Sequence, residues 1–464
     1  MGKSGELLKN TAIISIGKMG TQIVNFLLLP LYTAKLTTDA YGNFDYVTTI
    51  SSFLVPLMTM LMEESMFRFL IDSKTEDDKK IIISHTFLFC IFSGLILSLV
   101  VGFASWIFDY KLGYAILIYC VSSLFISLSN ALARGTGCIG LYSFSNFVIS
   151  IVIIILNLFF ILGFNLGFNA LIASSCIANF VAALYVLSKL RCWEYIDIKH
   201  YKKSVIKNML DYSIPLVPNT ISWSIINVSD RLVIMKFLGA SANGLYSVAY
   251  KFPNLISTFY NFFNIAWRET SAKIVRDNDV NEFNKIYRMI KGAVLSISIL
   301  LIAGIKYIYP VFINIKYQNS IVYVPILTIS MYYNSLAAFY GGVFSAYKDT
   351  KILGTTSSFS AVLNLVVDLA LFKFIGVYAA ALSTLCSSWF LYIYRKKKMK
   401  IYFNAFEKND IVITGIFILL MYLFYSDNYI LNVINVVLSL IFSLVANMEI
   451  IRFFFTKFMW NKNK

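Results

Sequence analysis

Charge is scarce in this chain. Only 14% of its 464 residues are Asp, Glu, Lys or Arg, against about 25% in an ordinary soluble domain. Carboxylates are scarcest, 24 against 40 Lys and Arg, which leaves a formal charge of +16. A soluble protein needs a polar surface to carry such an excess, and this composition cannot supply one. A soluble enzyme, a secreted disulfide scaffold, a disordered chain and a nucleic-acid binder are all excluded on this ground. Histidine is nearly missing, with His85 and His200 alone, so a histidine-built metal centre is not expected. The six cysteines, Cys90, Cys120, Cys138, Cys176, Cys192 and Cys386, form no CxxC pair, and neither a disulfide framework nor a zinc site follows. A phosphate loop is lacking too: Gly2-Lys3-Ser4 has no upstream glycine and no preceding strand. No catalytic constellation, metal site or cofactor is expected.

What is abundant is hydrocarbon. Apolar residues make up 58% of the chain, and the mean hydropathy is +0.72. A bilayer core of about 30 Å takes roughly 20 helical residues. Runs of that kind predict an all-α polytopic membrane protein with fourteen spans, near 10–35, 44–69, 81–108, 112–133, 141–163, 168–188, 211–238, 244–267, 291–313, 320–346, 352–374, 376–394, 411–426 and 429–455. The first run is too long for a signal-peptide core and reads as a retained span. Basic residues test the count independently. With a cytoplasmic N terminus, 31 Lys and Arg fall on inside segments and five on outside loops, as the positive-inside rule requires. Lys18, Arg231, Lys236 and Lys251 remain within spans. Both termini are therefore expected in the cytoplasm. The connections are too short to hold a nucleotide-binding or glycosyltransferase domain.

An offset of 202 residues superimposes Leu36–Phe44 on Leu238–Tyr246, pairing Ala40 with Ala242 and Gly42 with Gly244. Both stretches join a span to the next on the outer side, so the repeat is parallel. The expected organisation is an N-lobe of six spans over 1–190, a linker at 191–209, a C-lobe of six spans over 210–394, a basic loop at 395–410, and two further spans with a tail over 411–464.

An ionisable residue inside a span costs about 2.5–3.5 kcal/mol at the helix centre, so it faces water, a partner or a pathway. In span 1, Lys18, Gln22 and Asn25 share a face, and span 7 repeats the stripe with Asn219, Trp223, Asn227 and Asp230, Arg231 being adjacent. Interhelical hydrogen bonding and a central hydrophilic cavity both account for these stripes. Lys18 and Lys251 lie about two turns from an interface, within reach of it by snorkelling. Asp45 and Asp211 read as helix N-terminal residues favoured by the dipole. Glu63 and Glu64 have no partner evident in the sequence, and Asn364 and Asp368 read as a structural polar patch.

Asp230-Arg231, Leu238-Gly239, Gly244-Leu245-Tyr246, Ala249 and Lys251 resemble the DRxxxxxxLGxxxxGxYxxAxK signature of polysaccharide and oligosaccharide-lipid flippases. Glu63-Glu64, Arg68 and the Ala133-Arg134-Gly135 turn are similar to the same family. It belongs to the multidrug/oligosaccharidyl-lipid/polysaccharide superfamily, with the drug extruders and lipid II flippases. The resemblance implies two pseudo-symmetric lobes around a V-shaped cavity lined by spans 1, 2, 7 and 8. It also implies translocation of polyprenyl-pyrophosphate-linked repeat units, of O-antigen or capsule type, to the outer leaflet of a bacterial inner membrane by alternating access. In that reading Lys18, Arg231 and Lys251 would neutralise the pyrophosphate, and Gln22, Asn25 and Asn227 would bond sugar hydroxyls. Glu63, Glu64 and Asp230 are the candidates for carrying a coupling proton or sodium. Membrane lipids, a polysaccharide polymerase and chain-length machinery would be partners. An ion-coupled drug or cation exporter and a membrane polysaccharide polymerase or ligase are the competing readings. The first would favour an acidic cavity, and the second a large outer loop.

Overall fold

A computed structural model describes residues 20–196, 203–277, 279–347, 349–400, 402 and 410–448. The described residues are almost wholly helical and contain no strand, as hydrocarbon demands when every backbone group must be satisfied within its own segment. Two compact units divide the chain, Met1–Gly244 and Leu245–Lys464.

In the first unit, residues 20–27 are helical and Leu28 is a turn. The interruption falls where Pro30 opens α1 (Leu29–Lys35). Next come α2 (Thr38–Thr59), α3 (Met62–Asp72), α4 (Glu76–Ile107), α5 (Gly113–Gly135), α6 (Ile139–Asn157), α7 (Phe168–Lys189), α8 (Lys203–Ser213) and α9 (Val217–Phe237). A thioether and aliphatic core built around Met58, Met62, Met66, Leu70, Leu124 and Leu128 joins α2, α3 and α5. Gly135 lets α5 reach α3, since a Cβ there would stand 2.8 Å from Leu70. Pro215 and Pro218 end one helix and begin another: α8 closes in a short 3-10 turn, and α9 starts with proline in its first turn.

In the second unit, α10 (Gly239–Asp277) starts a few residues before the division and runs for 39 residues without stopping at Pro253. It is followed by α11 (Val280–Phe312), α12 (Val324–Ala346), α13 (Thr350–Ile375), α14 (Tyr378–Met399), α15 (Asp410–Tyr425) and α16 (Tyr429–Ala446). Helix α12 is buried along nearly its whole length. Small residues on α14 (Ala379–Ala381, Ser383, Thr384, Ser387 and Ser388) are buried against it and α13, the close backbone approach that stands in for a hydrophobic effect inside lipid. Ser330 Oγ of α12 lies 3.0 Å from Ser388 Oγ. Trp267 stacks on Phe339 with ring centroids 4.1 Å apart. Gly342 makes room for it, because a Cβ there would lie 2.6 Å from the indole.

Among the described residues eight helices are long and apolar enough to cross a bilayer, or nine when the bent pair α2–α3 counts as one span. These nine coincide with nine of the fourteen expected spans. The expected spans at 211–238, 244–267 and 376–394 coincide with α9, α10 and α14, which are long enough but carry more polar side chains. The expected span at 411–426 is a 16-residue helix, α15, and the first span lies partly outside the described residues. The multi-pass membrane architecture stands, while the length and apolarity of the helices do not by themselves establish a count of fourteen.

Candidate functional site

The repeated stretches meet each other. Leu36 and Thr37 lie between α1 and α2, and the Thr37 side chain caps α2 by accepting from Ala40 N at 3.2 Å. Leu238 ends α9, and Gly239, at φ +85°, opens α10. Gly42 and Gly244 are the contact. A Cβ on Gly42 would stand 1.9 Å from Ala240 O, and one on Gly244 would stand 2.1 Å from Thr38 O. Ala240 and Thr38 are themselves equivalent under the 202-residue offset, so the contact is reciprocal, each copy of the motif using its glycine to admit the backbone of the other. Thr38 Oγ1 lies 2.6 Å from Ser241 Oγ, and Asn243 Nδ2 donates to Gly42 O at 2.7 Å. No side chain other than hydrogen fits either glycine position without parting the seam.

One helical turn from Gly42, Asp45 accepts from Arg231 Nε at 3.3 Å. Both side chains are buried, 12% and 6% exposed. Asp45 is the eighth residue of α2, beyond the first turn where a helix dipole acts, so the dipole reading of this residue is corrected: a guanidinium holds it. Asp211 is corrected as well. It is exposed in the last turn of α8, near a C terminus, where a dipole does not favour it. Asp230, beside Arg231 and 1% exposed, makes its own contacts.

The other end of span 2 is broken. Met60 and Leu61 both adopt left-handed backbone (φ 49° and 55°), and α2 and α3 meet at 54°. Left-handed geometry costs about 1–2 kcal/mol per non-glycine residue, so the packing around the break has to maintain it. Thr59 Oγ1 accepts from Leu61 N at 3.2 Å, inside the bend. Glu63 follows in the first turn of α3. It is 6% exposed, and its Oε2 accepts no hydrogen bond among the described residues. Its neighbour Glu64 pairs with Arg134 Nη2 at 2.9 Å, while the Arg134 guanidinium lies 4.7 Å from the Phe67 ring centroid and 5.8 Å from that of Tyr142. The break therefore holds two adjacent carboxylates in different states, one compensated by a stacked cation and the other buried beside it.

The remaining expected site residues divide clearly. Gln22 and Asn25 are exposed on the helical stretch 20–27, while Thr21 Oγ1 on that stretch donates to Asn146 O of α6 at 3.4 Å. Lys18 lies outside the described residues, as does the Asn227 side chain. Lys251 is half-buried in α10 of the second unit, with partners of its own.

Two second-unit groups escape a reading of the sequence alone. Arg395, placed by its run of cations in a basic loop, is 1% exposed. Helix α14 continues to Met399, and Arg395 donates from Nε to Thr356 Oγ1, from Nη1 to Ala337 O and from Nη2 to Ser357 Oγ. Periodicity is the signal that could have found it, since Arg395 continues the buried stripe of Thr384, Ser388, Leu391 and Tyr392 at helical spacing. Asp410, Lys291 and Lys396 form a second network: Lys291 Nζ lies 3.1 Å from Asp410 Oδ1, Lys396 bonds the other carboxylate oxygen, and Tyr392 donates to it at 3.0 Å. Asn364 and Asp368 of α13 are buried, with Asn364 Nδ2 donating to Ser383 Oγ at 3.2 Å. Among the described residues there is no cluster of metal-ligating side chains.

Comparison with known proteins agrees with this architecture. Residues 7–267 match the family described as Polysaccharide biosynthesis protein. An uncharacterized membrane protein of Methanocaldococcus jannaschii is 24% identical over 406 residues, covering 82% of this chain and 95% of that one. Among solved structures, the lipid II flippase MurJ in an inward closed conformation superposes with a TM-score of 0.72 at 17% identity, covering 95% of this chain and 100% of that one. An inward-facing multidrug resistance MATE family transporter of the MOP superfamily gives 0.67 at 12% identity, covering 84% and 98%. At these identities the structures establish a shared fold.

Proposed function

The chain belongs to the polysaccharide biosynthesis protein family, and from that premise we propose that it is a flippase, carrying a polyprenyl-pyrophosphate-linked oligosaccharide from the cytoplasmic to the outer leaflet of a bacterial inner membrane. The observation that carries this reading is the buried Arg231–Asp45 pair set against the reciprocal glycine seam. A pyrophosphate head cannot cross hydrocarbon unless a cation meets it, and a cation cannot wait in hydrocarbon unless an anion holds it. Arg231 satisfies both conditions. Asp45 compensates it while the seam is closed, and parting of the seam hands the guanidinium to the anionic head. Gln22 and Asn25, exposed polar side chains on a span, suit sugar hydroxyls better than lipid. The roles assigned to Lys18, Asn227 and Lys251 are part of the same proposal.

Energy for net transport would enter through a carboxylate. Glu63 is the choice among Glu63, Glu64 and Asp230. Glu64 already has Arg134. Asp230 and Glu63 each keep one buried oxygen that accepts no hydrogen bond among the described residues, but Asp230 stands beside Arg231 with other contacts of its own, whereas Glu63 stands at the strained bend. Taking up a proton or sodium there would change what the bend must compensate. Deletion of the gene tests the whole proposal: lipid-linked repeat units should accumulate in the inner leaflet, and export should return with the wild-type gene but not with Glu63→Gln. Normal surface polysaccharide in the deletion strain would refute it.

A further inference from the structure

At about 1.5 Å per residue, the 39 residues of α10 and the 33 of α11 extend roughly 58 and 50 Å, well beyond a hydrocarbon core of about 30 Å. Their joined ends hold Arg268, Lys273, Arg276, Lys285, Arg288 and Lys291, set against Glu269, Asp277, Asp279 and Glu282. Where the two helices run side by side they leave a groove of about 320 Å³, lined by Phe263, Ala266 and Trp267 of α10 and by Ile286, Met289 and Ala293 of α11. Thr270 also lines it, but its hydroxyl is turned back to donate to Ala266 O at 3.1 Å. The lining therefore offers hydrocarbon and no hydrogen bond, and a sugar or a peptide would lose water there without compensation.

Two further observations say what covers it. An exposed apolar track, Leu255 and Phe259, leads along α10 toward Phe263 and Ala266 at helical spacing. At the groove's other end, Lys273 lies one turn beyond Thr270 and Lys285 one turn before Met289. Both are exposed, and neither is in an ion pair among the described residues. Glu282 shares the Lys285 side of α11, and its backbone N–H donates to Asp279 Oδ1 at 2.9 Å.

We infer that this groove seats one acyl chain of an anionic phospholipid, whose phosphate rests against Lys273 and Lys285. The chain fills the apolar slot beside Trp267, and the two lysines select the headgroup charge. This inference is independent of what the protein transports.

Trp267 lines the groove and reports the occupant. The full chain, with Trp106, Trp193, Trp223, Trp389 and Trp460 replaced by Phe, is reconstituted in nanodiscs containing dibrominated-chain phosphatidylglycerol or phosphatidylcholine. The phosphatidylglycerol should quench Trp267 at a mole fraction on the order of tenfold lower, the preference two lysines give near an anionic head. Lys273→Gln with Lys285→Gln should abolish the preference, and Ala293→Phe should weaken quenching by both lipids. Equal quenching by the two lipids, or a preference unmoved by the lysine variants, would overturn the inference. So would reversal of the quenching by trace polyprenyl phosphate, because the slot would then belong to a prenyl chain. Native mass spectrometry of the wild-type protein supplies the second readout: retained phosphatidylglycerol should be lost in the double lysine variant, and unchanged retention would count against the site.

Discussion

At the scale of the residue, the proposed function rests most on a single buried pair. Arg231 and Asp45 are each compensated by the other, so removing one leaves an uncompensated charge in a low-dielectric site, at about 3–5 kcal/mol. Removing both takes the two charges of the pair away together. Arg231→Met and Asp45→Leu should therefore each lower thermal stability in detergent by about that amount, and the double variant by much less than the sum. Simple additivity would mean that the two side chains do not depend on each other. Arg231 is identifiable from the sequence because a cation in mid-span is conspicuous. Its partner is not, because an Asp close to a helix start has an ordinary explanation and the sequence cannot say that α9 packs against α2. Arg395 stays hidden for a related reason: within the run Arg395-Lys396-Lys397-Lys398 it looks like its neighbours, and only helical phase separates the buried position from the solvated ones.

Elements meet through the repeat. The offset of 202 residues and the paired glycines are legible in the sequence, since glycine at equal places in two copies of a motif is a pattern. What that pattern serves becomes visible only in space, where each glycine admits the other copy's backbone. Cysteines at positions 38 and 241, whose native hydroxyls lie 2.6 Å apart, should join under mild oxidation in an otherwise wild-type seam. Gly42→Ala or Gly244→Ala should sharply reduce that cross-link, because a methyl group cannot occupy 1.9 or 2.1 Å; undiminished cross-linking would show that the seam does not close on these glycines. The break in span 2 is hidden from hydropathy altogether. Met60 and Leu61 are good helix formers in an apolar run, and nothing in their identity announces left-handed backbone.

For the whole molecule, composition and basic-residue placement foretell a multi-pass helical membrane protein, and the matched family and fold agree with it. The sidedness expected from the positive-inside pattern is open to a chemical test. Cys138 lies in the turn between α5 and α6, on the side read as cytoplasmic, whereas Cys192 is 3% exposed and burial pushes its thiol up to about 11. An impermeant maleimide should label neither in intact cells at neutral pH. After permeabilisation it should label Cys138, while Cys192 should react only on unfolding. Labelling of Cys138 in intact cells would invert the topology. The central claim is movement of a lipid-linked sugar, and the most direct measurement uses purified protein in sealed proteoliposomes with a fluorescent polyprenyl-pyrophosphate oligosaccharide in both leaflets. An impermeant glycosidase added outside should digest about half of the substrate in protein-free vesicles and nearly all of it when the wild-type protein is present. Digestion that stops at the protein-free level with folded wild-type protein, under an imposed proton or sodium gradient, would contradict the account.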